Sequence, residues 1–363
     1  MSVSQWRSST RQLGAICRQC APAGTIVPQR LDTRILSAGF TAQSVPQGRR
    51  WMSVKPMDNA SSATSSRRKV TLASLRKLQS EGTPITMMTA YDYPTALLTH
   101  SSGIDMTLVG DSLSQVALGH YNTNQITLDE MIHHCKAVAR GAKTPFIISD
   151  MPFGSFEASI EQGVRSAVRL VKEGYVDGVK IEGGQEILPL VKRLTDIGIP
   201  VMPHLGLQPQ RATSLSGYMV QARSAEAARE LFDTALAMKE AGAFSVLLEA
   251  IPHKIASYIT TKLDLLTIGI GAGPGTSGQV LVASDILGVF PTEEEAAESG
   301  GRLQGVKVAK FVRRFGNVGS ESRRAVQEYI DEVRGGGFPE VGKETYRMTP
   351  EEWHEFEKAM QGR

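Results

Sequence analysis

From Val70 onward, apolar and polar positions alternate between two rhythms. Short, wholly apolar runs predict strands buried on both faces, and segments with apolar residues every three or four positions predict amphipathic helices. "TLASLRKLQSEG" predicts a helix with Thr71 as N-cap and Gly82 as its stop. "PITMMTAY" then predicts a strand and "PTALLTHSSG" a helix. The same pair recurs with "DMTLVGDS" and "TLDEMIHHCKAVARGA", "PFIISDMP" and "SIEQGVRSAVRLVKEG", and "GVKIEGG" and "EILPLVKRLTDIG". It continues with "PVMPHLGL" and "SAEAARELFDTALAMKEAG", and with "SVLLEAIP" and "HKIASYITTK". "LLTIGIGAG" and "GQVLVASDIL" supply the last two strand candidates.

Eight strands, most followed by a helix, imply a parallel sheet with right-handed crossovers. At about 220 residues they suit a (β/α)8 TIM barrel, while a doubly wound sheet is second because no early GxGxxG follows the first strand. Glycines that end helices just before strands suit C′ positions. "PTEEEAAESGGRLQG" reads as an acidic loop, and the remaining chain to Arg363 as helical without strands.

Strand after strand ends in a polar residue: Asp92, Asp111-Ser112, Asp150, Glu182, His204 and Glu249. One such residue is an ordinary turn or cap. In a barrel, however, all the strand ends meet at one face, where the active site lies. Carboxylates converging there repel one another, and a hard cation such as Mg2+, bound by one or two carboxylates plus water and substrate, relieves this. Asp111, Asp150 and Glu182 are the candidate ligands. Lys180, two residues before Glu182, shares its face and is either a structural partner for the acids or a donor to substrate oxygens. "GIGAGPGTSG" either cradles a phosphate or permits close backbone approach.

Charge separates the ends of the chain. Residues 1–57 carry eight basic side chains against Asp32, a net +7, which leaves −4 for the rest. An Arg- and Ser-rich, acid-poor start resembles a mitochondrial transit peptide (1–57), followed by a polar linker (58–69). The mildly acidic remainder gives no reason to expect nucleic acid as a partner, and no apolar run is long enough for a membrane span. Cys17 and Cys20 fall in the expected leader, Cys135 in a helical pattern that packs it inside, and the adjacent His133 and His134 diverge too far on a helix to share a metal.

The motifs "TAYDYP", "LVGDSL", Gly119-His120, "SDMPFGSF", "VKIEGG", "HLGL", "GYMVQ", "LLEAIP" and "IGIGAG", in this order, resemble the ketopantoate hydroxymethyltransferase family. The resemblance covers a catalytic barrel at 70–339 and leaves a helical tail at 340–363. Ala222, where the family often has Gly, and the long acidic loop depart from its pattern. The resemblance implies a (β/α)8 barrel of the phosphoenolpyruvate/pyruvate-binding type and an Mg2+-dependent enzyme of pantothenate biosynthesis. Its implied reaction moves a one-carbon unit from 5,10-methylenetetrahydrofolate to the enolate of 3-methyl-2-oxobutanoate, giving 2-dehydropantoate and tetrahydrofolate. It places the metal on Asp111, Asp150 and Glu182, oxoacid contacts on Asp111, Ser112, Asp150 and Lys180, and the proton acceptor on Glu249, and it implies a homo-oligomer, commonly a decamer. Two other functions compete: a Mg2+-dependent lyase acting on a 2-oxoacid without folate, and a non-catalytic barrel binding a phosphorylated ligand at the Gly-rich turn.

Overall fold

Helix α1 (Leu72–Ser80) starts where its cap predicts: the Thr71 hydroxyl accepts from the Ser74 N–H and the Ser74 hydroxyl accepts from the Thr71 N–H. The computed structural model describes residues 67–214, 217–300, 305–306 and 308–362; the expected leader with Cys17 and Cys20, and linker residues 58–66, lie outside these. Eight strands follow α1: β1 (Ile85–Thr89), β2 (Met106–Val109), β3 (Phe146–Asp150), β4 (Gly178–Glu182), β5 (Val201–Gly206), β6 (Ser245–Glu249), β7 (Leu266–Ile270) and β8 (Gly278–Leu281). Each pairs in parallel with the next, and β8 pairs with β1, which closes the barrel.

Around the barrel run α2 (Tyr93–Ser101), the short α3 (Leu113–Val116), α4 (Leu128–Gly141), α5 (Ile160–Gly174), α6 (Leu188–Asp196), α7 (Ala225–Glu240) and α8 (His253–Leu263). After β8 come α9 (Ala283–Leu287), α10 (Glu293–Glu298), α11 (Val318–Gly335) and α12 (Pro350–Met360). Because both strand faces are covered, the core has two parts. Val109, Ile147, Val179, Val201 and Val246 face the helices; Met87, Leu108, Ile148, Met202, Leu247 and Ile268 fill the barrel, with Val70 and Leu75 in the same cluster.

Three expectations change, and one connection departs from a regular barrel. The last strand stops at Leu281, and "ASDIL" is α9. The acidic loop contains α10, capped by Thr292 and Glu295, a T-x-x-E box visible in "TEEE". Gly141 and Gly174 are not left-handed C′ residues. Instead they let helices touch: a Cβ on Gly141 would lie 2.8 Å from Ala96 Cβ, and one on Gly174 would lie 3.0 Å from Cys135 Cβ. Finally, no helix joins β7 to β8. Residues 271–277 return directly, and a Cβ on Gly275 would meet Ser257 Cβ of α8 at 2.6 Å. Close backbone approach accounts for the glycines of this segment.

Candidate active site

Strand alternation builds the site. Ile148, Met202 and Leu247 point into the barrel, so Asp150, His204 and Glu249, two residues further on, form the next interior layer toward the mouth. On β4, Lys180 and Glu182 face the interior at two successive levels. The register sets Asp150 beside Lys180 and Glu182 beside His204 on neighbouring strands. All of them line one cavity of about 370 Å³, together with Asp111 and Ser112.

Asp111, Asp150, Lys180, Glu182 and His204 are each no more than 4% exposed. The Asp111 N–H donates to Asp150 Oδ2 at 2.8 Å, tying the end of β2 to β3. Lys180 Nζ lies 3.0 Å from both Asp150 Oδ1 and His204 Nδ1. His204 in turn stands 3.3 Å from Glu182 Oε1 and 3.1 Å from Glu249 Oε2. Ser112 precedes α3, yet its hydroxyl caps nothing and remains available at the cavity wall. Ala250, directly after Glu249, holds a left-handed φ of 47°, a conformation that costs an alanine roughly 1–2 kcal/mol. Strain of this kind is concentrated at functional sites.

Burial dominates the electrostatics. It pushes the Asp111 carboxyl well above the ordinary range, and Asp150 and Glu182 push it further. Burial works against the charge on Lys180, but Asp150, Glu182 and Asp111 outweigh it and hold the ammonium above the usual lysine range. Glu182 is likewise opposed by burial, yet His204 and Lys180 hold it below the ordinary carboxylate range. Burial and Lys180 disfavour an imidazolium at His204, but Glu182 and Glu249 prevail and raise it to about 9.

Not every strand-end acid belongs to this layer. Asp92 caps α2, accepting from Thr95 N–H at 2.8 Å. Cys135 is buried, and burial pushes its thiol up to about 12, as a packed and unreactive cysteine requires. Gln210 was not singled out in the sequence, although it joins two site acids. Its Nε2 donates to Asp111 Oδ2 at 2.8 Å and to the Met151 carbonyl at 3.1 Å, and its N–H donates to Glu182 Oε2 at 3.0 Å. It lies in a single 3-10 turn (Pro209–Arg211) after β5, too short for a periodicity to mark it; its burial at 5% exposure is a tertiary property.

Among the described residues, no group of three or more His, Cys, Asp or Glu side chains is gathered into a ready metal site. Lys180 and Gln210 bind the acids instead of leaving Asp111, Asp150 and Glu182 as one chelating cluster. Two donors nonetheless fit a hard cation. Asp150 Oδ1 and Glu182 Oε1 are buried oxygens that face only the ion-pair contacts of Lys180 and His204, with no aligned hydrogen bond. Mg2+ takes one or two carboxylates and completes its shell with water and substrate.

Residues 69–341 match the family described as ketopantoate hydroxymethyltransferase. The chain belongs to this family. It is an enzyme, similar to the 3-methyl-2-oxobutanoate hydroxymethyltransferase of Emericella nidulans, with 45% identity over 93% of each chain. A relative from Oryza sativa subsp. japonica, named 3-methyl-2-oxobutanoate hydroxymethyltransferase 2, mitochondrial, is 44% identical over 81% of this chain and 71% of its own. Among solved structures, a phosphoenolpyruvate phosphomutase from Streptomyces platensis subsp. rosaceus aligns with a TM-score of 0.47 and 13% identity, covering 80% of this chain and 98% of that one.

Proposed function

We propose that the protein transfers a one-carbon unit from 5,10-methylenetetrahydrofolate to 3-methyl-2-oxobutanoate, giving 2-dehydropantoate and tetrahydrofolate in pantothenate biosynthesis. The observation that carries this reading is the convergence of Lys180, three acids and His204 on one cavity beside Glu249. Asp150 and Glu182, with Asp111, would hold Mg2+, which when bound supplies Lewis-acid stabilisation to the oxoacid's oxygens.

The chain's own residues do the rest. Lys180, a buried cation, and the free hydroxyl of Ser112 donate to the oxoacid oxygens, where negative charge develops as the C3 proton leaves. Glu249 accepts that proton, and His204, 3.1 Å away, orients its carboxylate. The resulting enolate carbon attacks the methylene carbon of the donor. Both bonds from that carbon to N5 and N10 of the donor break, one water supplies the hydroxyl of the product, and the two nitrogens take up the C3 proton and one proton of the water. The family relatives named mitochondrial, with the +7 segment at 1–57, support import into mitochondria, and the family resemblance supports a homo-oligomer.

Deuterium exchange at C3 of 3-methyl-2-oxobutanoate, followed without folate, isolates the first step. Glu249→Gln keeps the shape but cannot take the proton, so exchange should fall about 10²–10⁴-fold. Calorimetry should show oxoacid still binding with Mg2+. Exchange at the wild-type rate would remove Glu249 from the role of base.

A further inference from the structure

The closed strand order divides the barrel mouth into two arcs. β2 to β6 are consecutive around the ring, and their ends carry every acid and cation of the site described above. The other arc, β7, β8 and β1, lines the same cavity with Ile270, Leu281, Val282 and Thr89. Residues 308–312 complete its wall through Val308, Phe311 and Val312. Phe311 packs so closely on Gly271 that a Cβ there would lie 2.7 Å from its ring.

Among the described residues lining this second arc, Asp285 on α9 is the sole charged one. None of the hydrogen bonds or ion pairs among the described residues uses its carboxylate. Burial pushes its carboxyl up, and Arg314, beyond ion-pair distance, offsets only part of this. A half-buried acid in an apolar wall, with no side-chain partner among the described residues, is placed to accept hydrogen bonds from a ligand that fills the cavity. The oxoacid cannot do so, since it is an anion whose heteroatoms are all acceptors. The donor can. A 2-amino-4-oxopteridine presents a ring N–H and an amino N–H side by side on one edge, matched to the two oxygens of a carboxylate.

We propose that the pterin ring of the one-carbon donor occupies the β7–β8–β1 arc, with Asp285 accepting from its adjacent ring and amino N–H groups and Phe311 contributing to the apolar wall beside it. This rests on the folate-dependent reaction proposed above. It assigns the two substrates to opposite arcs, so that the donor's methylene carbon meets the enolate between them.

The test uses the full chain and three measurements: KM for 5,10-methylenetetrahydrofolate, KM for the oxoacid, and C3 deuterium exchange without donor. Asp285→Ala should raise the donor KM about 10–100-fold, the size of a lost hydrogen bond to a charged group, while exchange and oxoacid KM stay within about twofold. Asp285→Asn, which keeps one acceptor oxygen, should fall between. An unchanged donor KM, or exchange lost along with it, would overturn the assignment while leaving the reaction standing. Wild-type protein that exchanges the C3 proton but forms no donor-dependent product would remove the reaction itself, and this proposal with it. Should the variants not fold, wild-type protein still decides: tetrahydrofolate should bind about tenfold or more tightly than its analogue lacking the 2-amino group. Equal affinities would refute the role of Asp285.

Discussion

At the scale of the residue, Asp92 and Asp150 show how one residue type after a strand serves two ends. Asp150 follows Ile148 in the interior alternation and is 2% exposed against Lys180. Asp92 lies beyond the end of β1 and forms a capping box with Thr95. Asp92→Ala should therefore lower stability by about 1 kcal/mol, read from urea unfolding, with turnover nearly unchanged. Asp150→Ala should abolish Mg2+-dependent oxoacid binding in calorimetry, and because it leaves Lys180 and the Asp111 N–H buried without their partner it should also destabilise the barrel by more than Asp92→Ala does. The reverse pattern would exchange their roles. Period-two alternation made Lys180 and Glu182 legible as partners on one face. Gln210 was not legible, because a residue in a one-turn 3-10 helix acquires its donors' targets only when Asp111, Met151 and Glu182, from three other strand ends, converge on it.

At the scale of the element, the β7–β8 return departs most from a regular barrel. A parallel connection ordinarily takes a dozen or more residues and a helix. Here residues 271–277 suffice because they lie flat on α8. Gly275 has room for no side chain against Ser257. Gly275→Ala should cost about 1–3 kcal/mol by overpacking, and adding Ser257→Gly should restore part of it. Thermal or chemical denaturation of the two variants checks this. A neutral Gly275→Ala would show that the return can shift away from α8. Eight strands and most helices were legible because burial on two faces and amphipathic periodicity leave plain traces. The helix α10 was missed although its capping box is present, because its acidic surface offers little apolar stripe.

At the scale of the whole molecule, α11 and α12 leave large apolar side chains in solvent. Tyr329 is 58% exposed and Trp353 51%, with Val326 and Val333 on the same turns of α11 as Tyr329. Such an apolar surface favours association. We expect light scattering to give a homo-oligomer several times the 39.3 kDa chain mass, and a stable, active monomer would overturn that expectation. Residues 1–57 fused to a fluorescent reporter should carry it into mitochondria, and a cytosolic reporter would contradict import.

The sequence by itself determined the strand-and-helix order, the identity of the strand-end acids and the arginine-rich start, because each is a local pattern of residue types. Only the tertiary structure decided which strand ends share the interior layer, that His204 bridges Glu182 and Glu249, and that Gln210 ties Asp111 to Glu182. It also decided that the mouth has a polar and an apolar arc. The physical reason is closure: joining β8 to β1 fixes the stagger of all eight strands at once, and that stagger, rather than any one segment, sets which side chains meet.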